Sequence, residues 1–204
     1  MSSIQAPRLT WQEIRAKAEE FRIEYVSPID SLPVPIIEVV ELKLKLNPIP
    51  ILGLMQEIDI DGFLTKDLKS ICIDQDLYEN PRRENRLRFT FAHEVGHFVL
   101  HKKEIQVCRF RTARDWMRFR EDFDEEELNW FELQAYEFAG RLLVPRDKLA
   151  QDVEALAPRI KEYQRRAGNS GELVVQAISR TICKNYLVSA EVVARRIKIE
   201  QIGF

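Results

Sequence analysis

Three histidines occur in the whole sequence of 204 residues, and all of them lie between positions 93 and 101. His93 and His97 are four residues apart inside a strongly apolar run at residues 88–101. Side chains at positions i and i+4 lie one above the other on a helix, so this pair can present two ring nitrogens to a single metal ion. The run is therefore predicted to be a helix that carries a metal site.

Glu94 follows the first histidine directly and completes the pattern His-Glu-x-x-His. On a helix its carboxylate lies beside the two imidazoles, where it can reach a water molecule at the metal. Zinc-dependent peptidases use this pattern, with the imidazoles as ligands and the carboxylate as general base. A pair of structural core histidines is the alternative. It is disfavoured, because two imidazoles and a carboxylate are costly to bury in an apolar helix without a partner.

A catalytic zinc ion needs three protein ligands and one open position, so the chain must supply one more side chain after His97. A helix with an apolar stripe is predicted over residues 125–143. Glu132 lies inside that stripe, whereas Glu137 points to another side of the helix. Glu125 lies two turns earlier on nearly the same face and is the rival. We predict Glu132 as the third ligand, because a carboxylate on a core-facing stripe needs a partner.

His101 also follows His97 by four residues, but an ideal helix rotates its position by about 80° from that of His93. A third ligand from the same helix would strain the geometry of the site. We therefore interpret His101 as a residue that supports the ligands. Zn²⁺ is the expected metal, although two histidines and a carboxylate are also typical of Mn and Fe sites.

The composition is that of a globular protein with a sizeable core. The chain is 45% hydrophobic with a formal net charge of -2, so no overall basicity points to nucleic acid. Cys72, Cys108 and Cys183 are widely spaced, which is typical of reduced thiols in a cytosolic protein. The sequence shows neither a secretory signal nor an apolar stretch of membrane-spanning length. We expect a cytoplasmic protein.

Hydrophobic periodicity predicts a mainly helical α+β fold with a small antiparallel or mixed β-sheet. Predicted helices cover residues 9–25, 36–42, 80–101 and 125–143, and predicted strands cover residues 52–60, 63–64 and 69–74. Asp61-Gly62 is the predicted hairpin turn. An exposed edge of this sheet is a candidate binding site for an extended substrate. We divide the chain into a metallopeptidase-like domain, residues 1–145, and a helical C-terminal segment, residues 146–204.

The C-terminal segment is predicted to contain helices over residues 171–186 and 189–199, with Ser189 as the N-cap of the second. Basic residues in this hairpin are Arg180, Lys184, Arg195, Arg196 and Lys198. A helix-turn-helix that binds DNA is therefore an alternative, but packing on the catalytic domain or on a partner is favoured.

Residues 109–120 alternate basic and aromatic side chains, and an acidic run follows at residues 121–127. The basic and aromatic pattern is found on nucleic-acid surfaces. Because the adjacent acidic run partly cancels its field, we favour a solvent-exposed loop or a flap over the active site.

Two blocks of the sequence resemble the ImmA/IrrE family of metallopeptidase-like proteins. Residues 88–101, RFTFAHEVGHFVLH, match the family pattern R-F-T-x-A-H-E-x-G-H throughout. Residues 132–145, ELQAYEFAGRLLVP, match E-x-E-A-N-x-F-A-x-x-L-L-M-P in frame. Departures from the second pattern are Gln134, Tyr136 and Val144 in place of Glu, Asn and Met. Because glutamine is a poor zinc ligand, they leave Glu132 as the available carboxylate.

The resemblance implies a small gluzincin-like peptidase domain in a cytosolic protein, often encoded near mobile elements or toxin and antitoxin pairs. Typical partners in the family are DNA-binding repressors or antitoxins, which are cleaved or otherwise inactivated.

The leading hypothesis is a zinc-dependent endopeptidase that cleaves such a protein. His93, His97 and Glu132 hold the metal, and Glu94 transfers the proton of the attacking water. Candidate donors to the developing oxyanion are Tyr136 and residues 109–120. The alternative is a metal-binding regulator or toxin component that binds the same class of partner without cutting it.

Overall fold

The computed structural model describes residues 5–107, 124–166 and 170–203. The interpretation of residues 109–120 as a loop or flap falls outside the described residues. Helices of the described chain are α1 (Trp11–Tyr25), α2 (Ile36–Glu38, continued by a π-helical turn at Val39–Lys43), α3 (Leu54–Ile58), α4 (Gln75–Glu79), α5 (Glu84–Leu100, preceded by a 3-10 turn at Pro81–Arg83), α6 (Lys102–Val107), α7 (Glu125–Leu143), α8 (Arg146–Ala155), α9 (Ala157–Arg166), α10 (Gly171–Tyr186) and α11 (Ala190–Ile199). The predicted mainly helical α+β class is confirmed.

Three short strands form one mixed sheet in the order β1 (Asn47–Ile51), β3 (Ser70–Asp74), β2 (Gly62–Leu64). β1 runs parallel to the central strand β3, with Ile49 opposite Cys72. β2 runs antiparallel to β3 on the other side, with Phe63 opposite Cys72. β2 also contacts α5.

The strand predicted over residues 52–60 is wrong, because residues 54–58 form α3. Leu54 and Ile58 are one helical turn apart, and Leu54 is buried while Ile58 packs against the core. The real first strand, β1, contains two prolines. These prolines are tolerated because β1 is an edge strand and proline only removes a hydrogen bond on the unpaired side.

The predicted Asp61-Gly62 hairpin turn is also wrong. Gly62 is already the first residue of β2, and the reversal occurs between Leu64 and Ser70, where Thr65 and Ser70 bond through their backbones at 2.9 Å. A Cβ atom at Gly62 would lie 2.6 Å from the backbone oxygen of Cys72. Glycine is therefore required here by close packing of two strands and not by a turn.

Helix α5 lies at the centre of the fold. It contacts α7 most extensively and also packs against α1, α2, α4 and β2. The predicted start at Asn80 is confirmed: its side chain caps the 3-10 turn that leads into α5. The apolar character on several faces of residues 88–101 is therefore explained by burial on several sides.

The predicted C-terminal hairpin is confirmed as α10 and α11. Ser189 caps α11 by accepting a hydrogen bond from Val192, and Leu187 makes the tight connection with a positive φ of 49°. α11 packs on α7. The division into two segments at residue 145 stays a prediction. Within the three described ranges, no helix has the length and apolar character needed to cross a membrane.

Candidate metal centre

Helix α5 places the rings of His93 and His97 side by side, one turn apart. Their centroids are 4.8 Å apart at an interplanar angle of 76°. The two Nε2 atoms face each other at 3.1 Å. His97 is buried, and the His93 side chain is 18% exposed at the open side of the site. The i, i+4 spacing thus brings two imidazole nitrogens to one point, as the sequence predicts.

Helix α7 brings Glu132 to the same point. Its Oε2 atom lies 3.0 Å from Nε2 of His93 and 3.7 Å from Nε2 of His97. A close crossing of the two helices allows this approach: a Cβ atom at Gly96 would lie 3.0 Å from the backbone of Ala135. Two small residues at the crossing therefore set the distance between the helices that carry the three side chains.

The three side chains fit a metal ion. Ligand atoms of His93, His97 and Glu132 all lie within 4.8 Å of one another. Zinc in a tetrahedral site holds N and O ligands at about 2.0–2.1 Å, which separates neighbouring ligand atoms by about 3.4 Å. The measured separations of 3.0, 3.1 and 3.7 Å bracket that value. Zn²⁺ prefers this donor set, and three protein ligands leave one position open.

Electrostatics couples His93 to Glu132. Burial alone would lower the pKa of His93, but the hydrogen bond to Glu132 and nearby carboxylate charges outweigh burial and raise it. Burial alone would likewise raise the pKa of Glu132, yet the hydrogen bond with His93 and the nearby His97 ring hold that pKa well below its usual range. In the metal-free protein a proton on His93 thus faces the Glu132 carboxylate. A metal ion at this point replaces that proton.

Glu94 lies beside the three side chains and is only 4% exposed. Burial raises the pKa of its carboxyl group, while His97 and His93 oppose the shift. The backbone of Leu64 in β2 also opposes the shift, as the smallest of these effects. Glu94 is therefore a poorly solvated carboxylate fixed next to the predicted ligands, which suits a general base.

A cavity of about 390 Å³ opens onto this group of side chains. Its walls come from the loop before β2, from β2 itself, from α5 and from α7. Residues around it include Asp61, Leu64, Phe89, Thr90 and Tyr136. The free edge of β2 therefore borders the same space as Glu94 and the three predicted ligands.

Tyr136 forms one wall of the cavity. Its ring packs on Phe89 at a centroid distance of 4.8 Å, and the guanidinium of Arg195 lies over the ring, 4.5 Å from its centroid. Burial raises the pKa of Tyr136, so its hydroxyl keeps its proton at neutral pH. A protonated phenol beside the cavity can donate a hydrogen bond to a substrate oxygen.

His101 is fully buried behind His97, away from the cavity. The two Nδ1 atoms are 2.9 Å apart, and Nε2 of His101 lies 3.2 Å from Oε1 of Gln134. Burial lowers the pKa of His101 well below its ordinary value, and His97 adds to the shift. Gln134 in turn donates to the backbone oxygen of Pro7 at 2.7 Å. The sequence predicted a supporting role for His101 but did not identify these partners.

The other acidic candidates on α7 lie elsewhere. Glu125 is exposed in the first turn of α7 and is not part of the cluster of three ligand atoms. Glu137 is 2% exposed, which its predicted position away from the apolar stripe did not indicate. It accepts hydrogen bonds from Arg15 in α1 and Arg196 in α11. Because α7 is covered on more than one face, a single-stripe analysis missed this buried carboxylate.

Comparison with known protein families identifies the fold. Residues 37–198 match the family Peptidase_M78, described as the IrrE N-terminal-like domain. The chain belongs to this family. The match covers the predicted ligands on α5 and α7 and extends through most of α11, so the IrrE N-terminal-like domain includes the C-terminal hairpin. The resemblance inferred from residues 88–101 and 132–145 is confirmed. No curated protein matches the chain.

Proposed function

We propose that this protein is a zinc-dependent endopeptidase in which His93, His97 and Glu132 hold the metal and Glu94 is the general base. The observation that carries the proposal is the convergence of three ligand atoms, separated by 3.0 to 3.7 Å, next to a buried carboxylate at an open cavity. Membership of a peptidase family supports it. A purely structural role for these residues would not require an open cavity beside them.

When bound, Zn²⁺ supplies Lewis acidity that lowers the pKa of a water ligand toward neutrality. Glu94 accepts the proton of the attacking water and returns it to the leaving amine. Its burial favours this role, because a raised pKa makes the carboxylate a better proton acceptor. Tyr136, with its proton held by burial, donates a hydrogen bond to the carbonyl oxygen as negative charge develops there.

The polypeptide substrate binds along the free edge of β2. Gly62, Phe63 and Leu64 pair with β3 on one side only, and this strand borders the cavity. Extended peptides commonly add a strand to such an edge, since backbone hydrogen bonds give affinity without a particular sequence. This arrangement would bring a peptide bond of the substrate past Glu94.

We further propose that the substrate is a regulatory protein, namely a DNA-binding repressor or an antitoxin, as the family resemblance implies. DNA is a less favoured ligand, because basic residues of the C-terminal hairpin are engaged in ion pairs. Arg196 is 2% exposed and bonded to Glu137, and Lys198 forms an ion pair with Glu172. Arg196 is therefore not free for a phosphate group, and Glu172 partly neutralises Lys198. The two departures at Gln134 and Tyr136 motivate the second candidate, a regulator that binds the same partner without cleaving it.

The experiment compares wild-type protein with Glu94→Gln. Metal content is measured on both, and each is incubated with the repressor or antitoxin encoded next to its own gene, followed by mass spectrometry of the products. We expect zinc in both proteins and fragments from wild type only. Glu20→Gln, an exposed glutamate on α1, is the matched control and should cleave normally. Equal fragments from Glu94→Gln would contradict the catalytic assignment. Relief of repression by both proteins without fragments would favour the non-proteolytic regulator.

A further inference from the structure

Both ring nitrogens of His97 have close partners, so the position of its proton matters. Nε2 faces the predicted metal position, and Nδ1 lies 2.9 Å from Nδ1 of His101. A neutral imidazole carries one proton, and the other nitrogen has the lone pair that binds a metal. His97 can therefore act as a ligand through Nε2 only in the tautomer with the proton on Nδ1.

A series of hydrogen bonds runs from His97 through His101 and Gln134 to Pro7, and at Pro7 the donor and the acceptor are known. The backbone oxygen of Pro7 can only accept a hydrogen bond, and the side-chain amide of Gln134 donates to it at 2.7 Å. This contact decides which way the amide is turned, because the opposite orientation would bring two oxygens together. Oε1 of Gln134 must then face His101, at 3.2 Å from its Nε2 atom.

The orientation of the Gln134 amide determines which nitrogen atoms of His101 and His97 donate. Since Oε1 of Gln134 only accepts, Nε2 of His101 carries the proton. The ring is 0% exposed and is stacked on Phe131 at a centroid distance of 4.0 Å. Its hydrogen-bond partners are an amide oxygen and an imidazole, so a charged ring here would be buried without a counter-charge. A neutral His101 therefore offers a lone pair at Nδ1, and His97 donates to it from Nδ1.

We propose that Gln134 and His101 are positioning residues that hold His97 in the Nδ1-protonated tautomer, leaving its Nε2 lone pair directed at the metal position. The chain of hydrogen bonds runs from Pro7 through Gln134 and His101 to His97. Its role in metal affinity rests on the proposed zinc site, whereas the tautomer itself is a property of the metal-free protein. This series of hydrogen bonds also gives glutamine a function at position 134, where the family pattern has glutamate.

Two substitutions at position 134 separate this role from simple packing. Gln134→Leu keeps a similar volume but removes the acceptor for His101. Gln134→Glu keeps an acceptor oxygen for His101, but it removes the amide that donates to the Pro7 oxygen and adds a charge in a buried position. If Gln134 only fills space, leucine is tolerated and glutamate disrupts the site. If Gln134 sets the tautomer, glutamate preserves the site and leucine disrupts it.

The first measurement is the tautomer of His97 in metal-free protein, from long-range ¹H–¹⁵N correlation spectra of the imidazoles. The chain has only three histidines, which keeps the spectra simple. We expect His97 to be protonated on Nδ1 in wild type and in Gln134→Glu, and to show a substantial Nε2-protonated population in Gln134→Leu. An unchanged tautomer in Gln134→Leu would overturn the proposal.

The second measurement is the Zn²⁺ dissociation constant, by competition with a chromophoric chelator. Removing a residue that orients a ligating histidine typically weakens metal binding by about 10- to 100-fold, which we expect for Gln134→Leu and for His101→Phe. The phenyl ring of the second variant retains stacking on Phe131 while removing the acceptor. Because both residues act through one chain, the double variant should bind zinc about as well as either single variant. Additive losses would overturn the shared pathway.

The two proposals fail in different ways. Wild-type protein that binds no zinc contradicts the proposed metallopeptidase, while the spectra of metal-free protein still report on His97. Zinc binding of wild-type strength in folded Gln134→Leu, with circular dichroism as the check on folding, contradicts the positioning role alone.

Discussion

Among individual residues, Tyr136 in the cavity wall is the proposed donor to the developing oxyanion. Tyr136→Phe keeps the contacts of the ring with Phe89 and Arg195 but removes the hydroxyl. Loss of one donor to a developing oxyanion costs about 10²–10³-fold in kcat, and we expect a fall of that order with little change in KM. Steady-state kinetics on a peptide that spans the cleavage site provide the measurement.

Tyr163→Phe is the matched control for this prediction. It removes a hydroxyl that lies 3.2 Å from Thr181 in the helical C-terminal part of the fold. Its kcat should equal that of wild type. If Tyr136→Phe were as active as this control, the oxyanion donor would have to be another group.

The raised pKa of the Cys72 thiol predicts low reactivity toward alkylating agents. It lies on β3, where burial raises the pKa of its thiol to about 11. Only the thiolate reacts with alkylating agents, and at pH 8 a thiol with this pKa is about one part in a thousand ionised. We expect iodoacetamide to leave Cys72 unmodified in native protein at pH 8 and to modify it after unfolding. Partly exposed Cys183 is the internal comparison, and peptide mapping by mass spectrometry measures both. Rapid native labelling of Cys72 would contradict its burial.

The sequence predicts some contacts of the site residues and not others. His93 and His97 share one helix, so their spacing alone places their nitrogens together once that helix forms. The structure brings Glu132 to them from a second helix, at the position where its place in the apolar stripe indicated a partner. The contact between Gln134 and Pro7 joins residues 127 apart in sequence, and no local pattern encodes it.

At the scale of elements, the crossing of α5 and α7 determines the geometry of the site. Gly96→Ala would place a Cβ atom 3.0 Å from both Cα and O of Ala135, which are backbone atoms. The helices would have to separate by a few tenths of an ångström. Overpacking of this kind costs about 1–3 kcal/mol, of which the better helix propensity of alanine offsets up to about 1 kcal/mol. We expect a lower free energy of unfolding and weaker Zn²⁺ binding, because Glu132 lies one turn from the contact.

Denaturant titration and chelator competition measure the two effects of Gly96→Ala. Gly171→Ala is the control, since a Cβ atom at that position meets no other atom within 4 Å. It should leave both quantities at their wild-type values or slightly raise stability. Wild-type zinc affinity in Gly96→Ala would show that the site tolerates a wider separation of the helices.

The elements differ in how far their sequences determined them. α7, α10 and α11 are long and strongly periodic, and their predicted bounds agree with the structure to within a residue. The region at residues 47–64 was predicted poorly, because short apolar runs fit a strand and a helix equally well. β1, which contains two prolines, pairs in parallel with β3, and this pairing joins residues more than 20 positions apart in the sequence.

At the scale of the whole molecule, a buried group of charges joins the C-terminal hairpin to the helix that carries Glu132. Arg196 of α11 donates to Glu137 of α7 at 2.8 Å and also pairs with Glu200. Arg15 of α1 donates to the same Glu137 oxygen at 2.7 Å. Burial lowers the pKa of Arg196, although its two carboxylate partners keep the ion pairs in place. Three helices therefore meet at one carboxylate.

Arg196→Met tests how strongly this group holds the molecule together. After this change Glu137 keeps Arg15 and Glu200 keeps Arg141. The cost is therefore that of lost buried hydrogen bonds, about 1–3 kcal/mol, and not that of an isolated buried charge. We expect the free energy of unfolding to fall by that amount in denaturant titration. Lys198→Met is the control, because its ion pair with Glu172 is about half exposed and should contribute less than about 1 kcal/mol. Equal effects of the two substitutions would show that the buried pair adds no special stability.

The same group of charges bears on the predicted boundary at residue 145. A chain that ends at residue 145 retains α5, α7 and all three predicted ligands, but it loses Arg196 and leaves Glu137 with Arg15 alone. It also exposes the face of α7 that α11 covers. We therefore expect residues 1–145 to lack a cooperative thermal transition. A truncated protein that melts cooperatively and binds Zn²⁺ with wild-type affinity would instead establish an independent domain that ends at residue 145.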